Sequence, residues 1–267
     1  MNDFIVLPPW GAQTRLMTIE YAWVGPARAA PDAPVMVFLH EGLGCIELWR
    51  GFPAALCERL QWRGLVYSRF AYGASTPRPH DEPFSDDYLE REALVVLPAL
   101  LRALDIEKPW LLGHSDGGSI ALIAAGCEAA PYAGIVTIAP HYCVEEICLQ
   151  GIERARAAYE QGGLRKRLAK YHRDVDSAFY GWCNAWLDPR RHGWCIEGLL
   201  THIACPAFAI QGVQDEYATL DQIEAIARHA PHAELLKIDE CGHFPFLACA
   251  DTVIEAIASF VERHATR

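Results

Sequence analysis

The sequence predicts an α/β fold built on a mainly parallel sheet, and two patterns carry that expectation. Short apolar runs alternate with longer stretches of helical periodicity along the 267 residues, which is the rhythm of strand–helix–strand units. The runs are almost uninterrupted in apolar residues, as strands buried on both faces are. Composition agrees: 52% hydrophobic and 21% charged residues supply enough apolar material for one large core. A chain of this length is ordinary for a single α/β unit.

In chain order, residues 16–24 read as antiparallel edge strands. The runs at 35–39, 65–67, 110–112, 134–138, 207–210 and 235–238 read as the central strands. Between them, residues 87–104 carry apolar side chains at helical spacing, and Pro109 stops the pattern. Residues 119–130 are Ala-rich and suited to lie against a sheet, while 220–229 and 250–264 read as amphipathic helices. From 141 to 205 no strand candidate occurs. This stretch is helical in pattern, charged, and rich in aromatics such as Tyr159, Phe179, Trp182, Trp186 and Trp194. Its position between two core strands predicts a helical cap inserted into a core of residues 1–140 and 206–267.

The formal net charge of −11 repels phosphate backbones and anionic surfaces, which argues against nucleic-acid and membrane partners. No apolar run reaches membrane-spanning length, and the first ten residues lack a basic segment followed by a long apolar one. The ten cysteines include no Cys-x-x-Cys pair and are expected to be reduced, mostly buried thiols of a cytoplasmic protein. Neither cysteines nor histidines show metal-ligand spacing, so no metal or other cofactor is expected. The expected partner is a small-molecule substrate, with a homodimer left open.

The residues that carry chemistry begin at Gly113-His114-Ser115-Asp116-Gly117. A buried strand runs into Gly-x-Ser-x-Gly and then into an Ala-rich helix, the setting in which a sharp turn lifts a serine hydroxyl above a sheet. Chance alone supplies the bare pattern in roughly one chain in ten of this length, so the order of its partners matters. An acid, Asp215, follows the strand at 207–210 and a Gly turn. A histidine, His243, follows the strand at 235–238 in a Gly-His turn. All three fall at strand C-termini, where open α/β sheets place ligands. A serine hydroxyl is a poor nucleophile until an imidazole takes its proton, and the imidazole needs a carboxylate to hold its tautomer. The amide of Asp116 and one from Gly42, or alternatively Leu43, are the candidate oxyanion donors.

With these residues in place, the sequence resembles the α/β-hydrolase superfamily over essentially the whole chain. The resemblance rests on His40 to Gly44 as the oxyanion loop, on Tyr72-Gly-Ala-Ser75, and on Ser115, Asp215 and Gly242-His243. It is finest toward small capped esterases, enol-lactone hydrolases and carbon–carbon-bond hydrolases. It implies an eight-stranded, mainly parallel sheet flanked by helices, with a cap. It also implies a serine hydrolase cleaving a carboxylic ester, lactone or thioester of a small, largely apolar substrate through an acyl-enzyme. Alternatives are a carbon–carbon hydrolase of vinylogous diketones, an aminoacyl-ester hydrolase or aminopeptidase with Glu145 and Glu146 at the cap, and a non-enzymatic ligand receptor. Expected pocket residues are Glu41, His114, Tyr142, Trp182, Trp186 and Phe244. Two departures stand out. Glu41 replaces the glycine that usually follows the oxyanion-loop histidine, and Ser68-Arg-Phe-Ala71 replaces Asp-x-Arg-Gly. Glu41 is expected to anchor its loop. The sharper expectation is that Glu41 and Asp116 together favour a cationic substrate.

Overall fold

The computed structural model describes residues 2–8, 16–27, 29–30, 32–127 and 132–265. Eight strands form one sheet: β1 (Asp3–Leu7), β2 (Met17–Val24), β3 (Val35–Leu39), β4 (Arg63–Ser68), β5 (Trp110–His114), β6 (Gly134–Ile138), β7 (Ala207–Gly212) and β8 (Glu234–Ile238). Their spatial order is β1-β2-β4-β3-β5-β6-β7-β8. The pairs β1–β2 and β2–β4 are antiparallel and every other pair is parallel. The α/β prediction therefore holds, with all six central runs found as strands.

Helices cover both faces because neighbouring strand residues point to opposite sides. Met36, Phe38, Leu112 and Ile210 face a core built with α1 (Phe52–Leu60) and the last helix. Val37, Leu39, Leu111 and Ala209 face the other core. That second core includes α2 (Tyr88–Arg91), α3 (Leu97–Ala103) and α4 (Asp116–Gly126). Between β6 and β7 the chain forms α5 (Glu146–Glu160), α6 (Gly163–Leu168), α7 (Val175–Trp186) and α8 (Glu197–Leu200), with no strand. A single antiparallel bridge, Cys143 to Cys195, joins the two stems of this segment. Then follow α9 (Asp221–His229), α10 (Pro245–Ala248) and α11 (Ala250–His264).

Several boundaries differ from expectation for identifiable reasons. β1 went unread, because its two exposed apolar side chains, Phe4 and Val6, hide the alternation of an edge strand. The pattern at 87–104 is a helix interrupted by a π turn at Glu92–Val96. There the Leu97 amide reaches back to the Glu92 carbonyl, just before Pro98, which has no amide to offer. α4 starts at Asp116 rather than 119, since Gly117 and Gly118 are helical residues rather than a loop. Residues 128–130 of that pattern lie outside the described residues. β8 is half-exposed as an edge strand, not buried on both faces. All ten cysteines are free thiols; five are buried and Cys195 is exposed.

Candidate active site

The C-terminal ends of β3, β5, β7 and β8 bring the predicted residues together. Ser115 sits between β5 and α4 with φ 53° and ψ −117°, a left-handed backbone that residues with a β-carbon rarely adopt. The flanking glycines make the turn possible. A Cβ on Gly113 would lie 2.0 Å from the Gly117 carbonyl oxygen, and one on Gly117 would lie 1.8 Å from the Leu39 carbonyl oxygen. The pattern thus records how closely α4 approaches β3 and β5.

Ser115 Oγ lies 3.0 Å from His243 Nε2, and His243 Nδ1 lies 2.9 Å from both Asp215 oxygens. With Nδ1–H donating to Asp215, Nε2 is left to accept the serine hydroxyl proton. All three residues are buried. Burial pushes the Asp215 carboxyl up, but the hydrogen bond and charge of His243 and the Tyr217 amide at 2.8 Å outweigh it, so its pKa falls below the ordinary range.

The supporting residues are equally defined. His114 Nε2–H donates to the His243 carbonyl at 2.8 Å, and its Nδ1 faces Glu41 Oε2 at 3.5 Å. Burial would raise the Glu41 pKa, but His114 beside it brings the carboxyl down to about 2. Gly44 leaves room for this carboxylate, since a Cβ there would lie 2.5 Å from Glu41 Oε2. His40 accepts the Arg69 amide at Nε2 and donates from Nδ1 to the Glu41 carbonyl. His172 accepts the Gly73 amide at Nδ1 and donates from Nε2 to the Leu43 carbonyl. The loop after β3 is thereby held from below and from the α6–α7 connection.

Asp116 is fully engaged. Its carboxylate accepts from Arg69 at 3.3 Å, Tyr88 at 2.9 Å and the Trp186 indole at 3.0 Å. It therefore offers no free charge to a ligand, and the expectation that it helps select a cation is corrected. Arg69 lies in the stretch that departs from the family pattern, so the departure supplies Asp116 with its counterion. Glu145 and Glu146 are likewise spoken for: Glu145 accepts from the Thr219 amide and hydroxyl, and Glu146 from Gln150. Neither lines the cavity above Ser115, where an aminopeptidase reading would place its amine site.

Above Ser115 lies a cavity of about 310 Å³, the size of a small ligand. Its floor includes Glu41, Gly42, Leu43, Ser115, Asp116 and His243. Its walls include Leu48, Cys148, Ile152, Leu164, Leu168, Trp182, Trp186 and Phe244. The Trp182 ring lies so close over Gly42 that a Cβ there would meet it at 2.0 Å. Asp116 opens α4, so its amide has no intrahelical acceptor. Of the expected pocket residues, Glu41, Trp182, Trp186 and Phe244 line the cavity. His114 and Tyr142 do not. His114 is fully buried behind His243, and the Tyr142 hydroxyl is turned to Asp221 at 2.9 Å. Sequence reading missed His141 and Tyr217, which also line the cavity. Both follow strand ends on the ligand side of the sheet, and that position was the available signal. The leucines of α6 carried no such signal.

Among the described residues, no helix is long and apolar enough to cross a membrane. No three His, Cys, Asp or Glu side chains among them gather as a metal ion would require.

A buried serine at a strained strand–helix turn, an imidazole, a carboxylate and an eight-stranded mixed sheet define the class of α/β hydrolases. Comparison agrees. The alpha/beta hydrolase fold family matches residues 34–180, and the chain belongs to that family. The human serine hydrolase BPHL is 30% identical over 201 residues, covering 72% of this chain and 66% of its own, so the chain spans about two thirds of that relative's length. A thermophilic esterase from Thermogutta terrifontis superposes with a TM-score of 0.75 at 17% identity, covering 99% and 100% of the two chains. The enol-lactonase from Burkholderia xenovorans LB400 does so with 0.72 at 18% identity, covering 92% and 97%.

Proposed function

We propose that the chain is a serine hydrolase that cleaves a carboxylic ester, lactone or thioester of a small, largely apolar substrate. The observation that carries this reading is the unbroken line Ser115–His243–Asp215 at the floor of an apolar cavity. In this reading Ser115 Oγ attacks the carbonyl carbon while His243 Nε2 takes its proton. Asp215 holds the imidazole and stabilises its charge. The amides of Gly42 and Asp116 receive the developing oxyanion at the positive end of α4. His243 then returns the proton to the leaving alcohol or thiol, and a water cleaves the acyl-enzyme by the reverse sequence. The helices between β6 and β7 act as a cap that supplies the apolar walls and excludes water.

The test pairs a fluorophosphonate probe with a short-chain nitrophenyl ester. Mass spectrometry should place the label on Ser115, and nitrophenol should appear in a burst. Ser115→Ala should remove the label and lower turnover by more than about 1000-fold. A folded wild-type protein that never labels, or an active Ser115→Ala variant, would overturn the proposal.

A further inference from the structure

His141 is a second imidazole in the cavity, and the steps above do not use it. It follows β6 at the ligand-binding edge of the sheet, lines the cavity, and is 2% exposed. Ser119 clamps its backbone from both sides: Ser119 Oγ donates to the His141 carbonyl at 2.7 Å and accepts from the His141 amide at 3.1 Å. The ring stands edge-on to Trp186, centroids 5.4 Å apart, and its centre is 6.2 Å from that of His243. Its position is thus fixed by packing and by the backbone, but its buried Nδ1 has no hydrogen-bond partner. Nδ1 is sealed off from the cavity, so a ligand there meets the ring at Nε2, to which no group among the described residues is hydrogen-bonded.

The ionisable and catalytic groups on the cavity floor are committed elsewhere. Ser115 and His243 bond each other, Asp116 serves Arg69, Tyr88 and Trp186, and Glu41 faces His114. Burial, and then the neighbouring His243, bring His141 down to about 4 against the weaker opposite pull of Asp215, Asp116 and Glu145. A neutral imidazole offers one N–H donor and one lone-pair acceptor. The nitrogen that faces the cavity is one or the other according to tautomer, which suits a hydroxyl in either case and a keto oxygen when the nitrogen carries the proton. A neutral ring supplies no charge to offset the desolvation of an ammonium or a carboxylate, so an uncharged oxygen is the better match. The separation from His243 places the recognised oxygen within a few bonds of the reacting carbonyl.

We infer that His141 is a specificity-determining residue that hydrogen-bonds a hydroxyl or keto oxygen on the acyl chain, close to the scissile carbonyl. The substrate class is then an oxygenated acyl ester or lactone rather than a plain fatty ester. The inference rests on the proposed hydrolysis only for the identity of the acyl group, and binding tests it without turnover.

In the Ser115→Ala protein, dissociation constants for ethyl 3-hydroxyhexanoate and ethyl hexanoate are read from the quenching of tryptophan fluorescence. The hydroxy ester should bind more tightly. The Ser115→Ala/His141→Phe protein, which keeps a ring on Trp186, should reduce the ratio of the two constants by about tenfold. The Ser115→Ala/His141→Asn protein, which keeps a donor and an acceptor, should restore part of it. Equal binding of both esters to Ser115→Ala, binding of neither, or an unchanged ratio in the Phe variant would overturn the inference. If the preference and its loss appear while the wild-type protein hydrolyses neither ester, the subsite stands and the proposed hydrolysis falls.

Discussion

At the scale of single residues, charge near Ser115 is governed by pairing. Asp116 and Arg69 are both buried, 3.3 Å apart. Removing one partner of such a pair leaves the other charge uncompensated, at a cost of about 3–5 kcal/mol. Asp116→Asn should therefore lower unfolding stability in urea by about 3 kcal/mol, and its single amide oxygen can keep the Trp186 bond but not also the one from Tyr88, which uses the other carboxylate oxygen. Adding Arg69→Met should recover much of that loss, and a double variant no more stable than Asp116→Asn would contradict the pairing. Sequence reading placed Asp116 beside the nucleophile but treated its carboxylate as available. Its three partners, Arg69, Tyr88 and Trp186, come from three distant parts of the chain, so no local pattern announces them. Glu41 is a similar case: its neighbour His114 is brought to it only by the parallel pairing of β3 with β5.

At the scale of elements, α7 is the helix that ties the proposed cap to the core. Asp174 caps its N-terminus by accepting from the Ser177 amide at 2.9 Å. Near its other end, Trp186 donates to Asp116, and one turn earlier Trp182 covers Gly42. The helix is thus docked by an indole bonded to a buried carboxylate, a type of hydrogen bond that contributes about 1.5–3 kcal/mol. Trp186→Phe should retain most of the packing and lose that bond. Amide hydrogen exchange across Val175–Trp186 should then quicken by about tenfold or more, with β5 and β6 unaffected. Unchanged exchange in α7 would show that packing alone docks it. The helical character of 141–205 was legible in the sequence, because amphipathic spacing is local. Which aromatics face the cavity was not: Trp182 and Trp186 do, but Tyr142 turns to α9.

At the scale of the whole molecule, three buried histidines link folding to pH. Burial holds His40, His141 and His172 below the ordinary histidine range, His141 at about 4. In the unfolded chain each binds its proton near pH 6.5. In the folded molecule each does so only at lower pH, so the unfolded state binds more protons in between. Stability is therefore full above about pH 6.5 and falls as the pH drops, by up to about 1.4 kcal/mol per pH unit for each group. Urea unfolding at pH 7 and pH 5 should show this loss, and His141→Phe should make the slope shallower by about one group's share. Stability that is flat between these pH values would contradict the buried, neutral state of all three.

The sequence alone determined the alternation of strands and helices, the helical insertion, and the placement of Ser115, Asp215 and His243 after the ends of β5, β7 and β8. These are written in nearest-neighbour terms: apolar runs, helical spacing, and glycines where a turn or a close approach excludes a Cβ. Only the tertiary structure decided that Asp116 is neutralised, that His114 supports His243 instead of touching a ligand, and that His141 stands unpaired in the cavity. Those outcomes depend on contacts between segments far apart in the chain, and they emerge only when the sheet closes and α7 is set over the loop after β3.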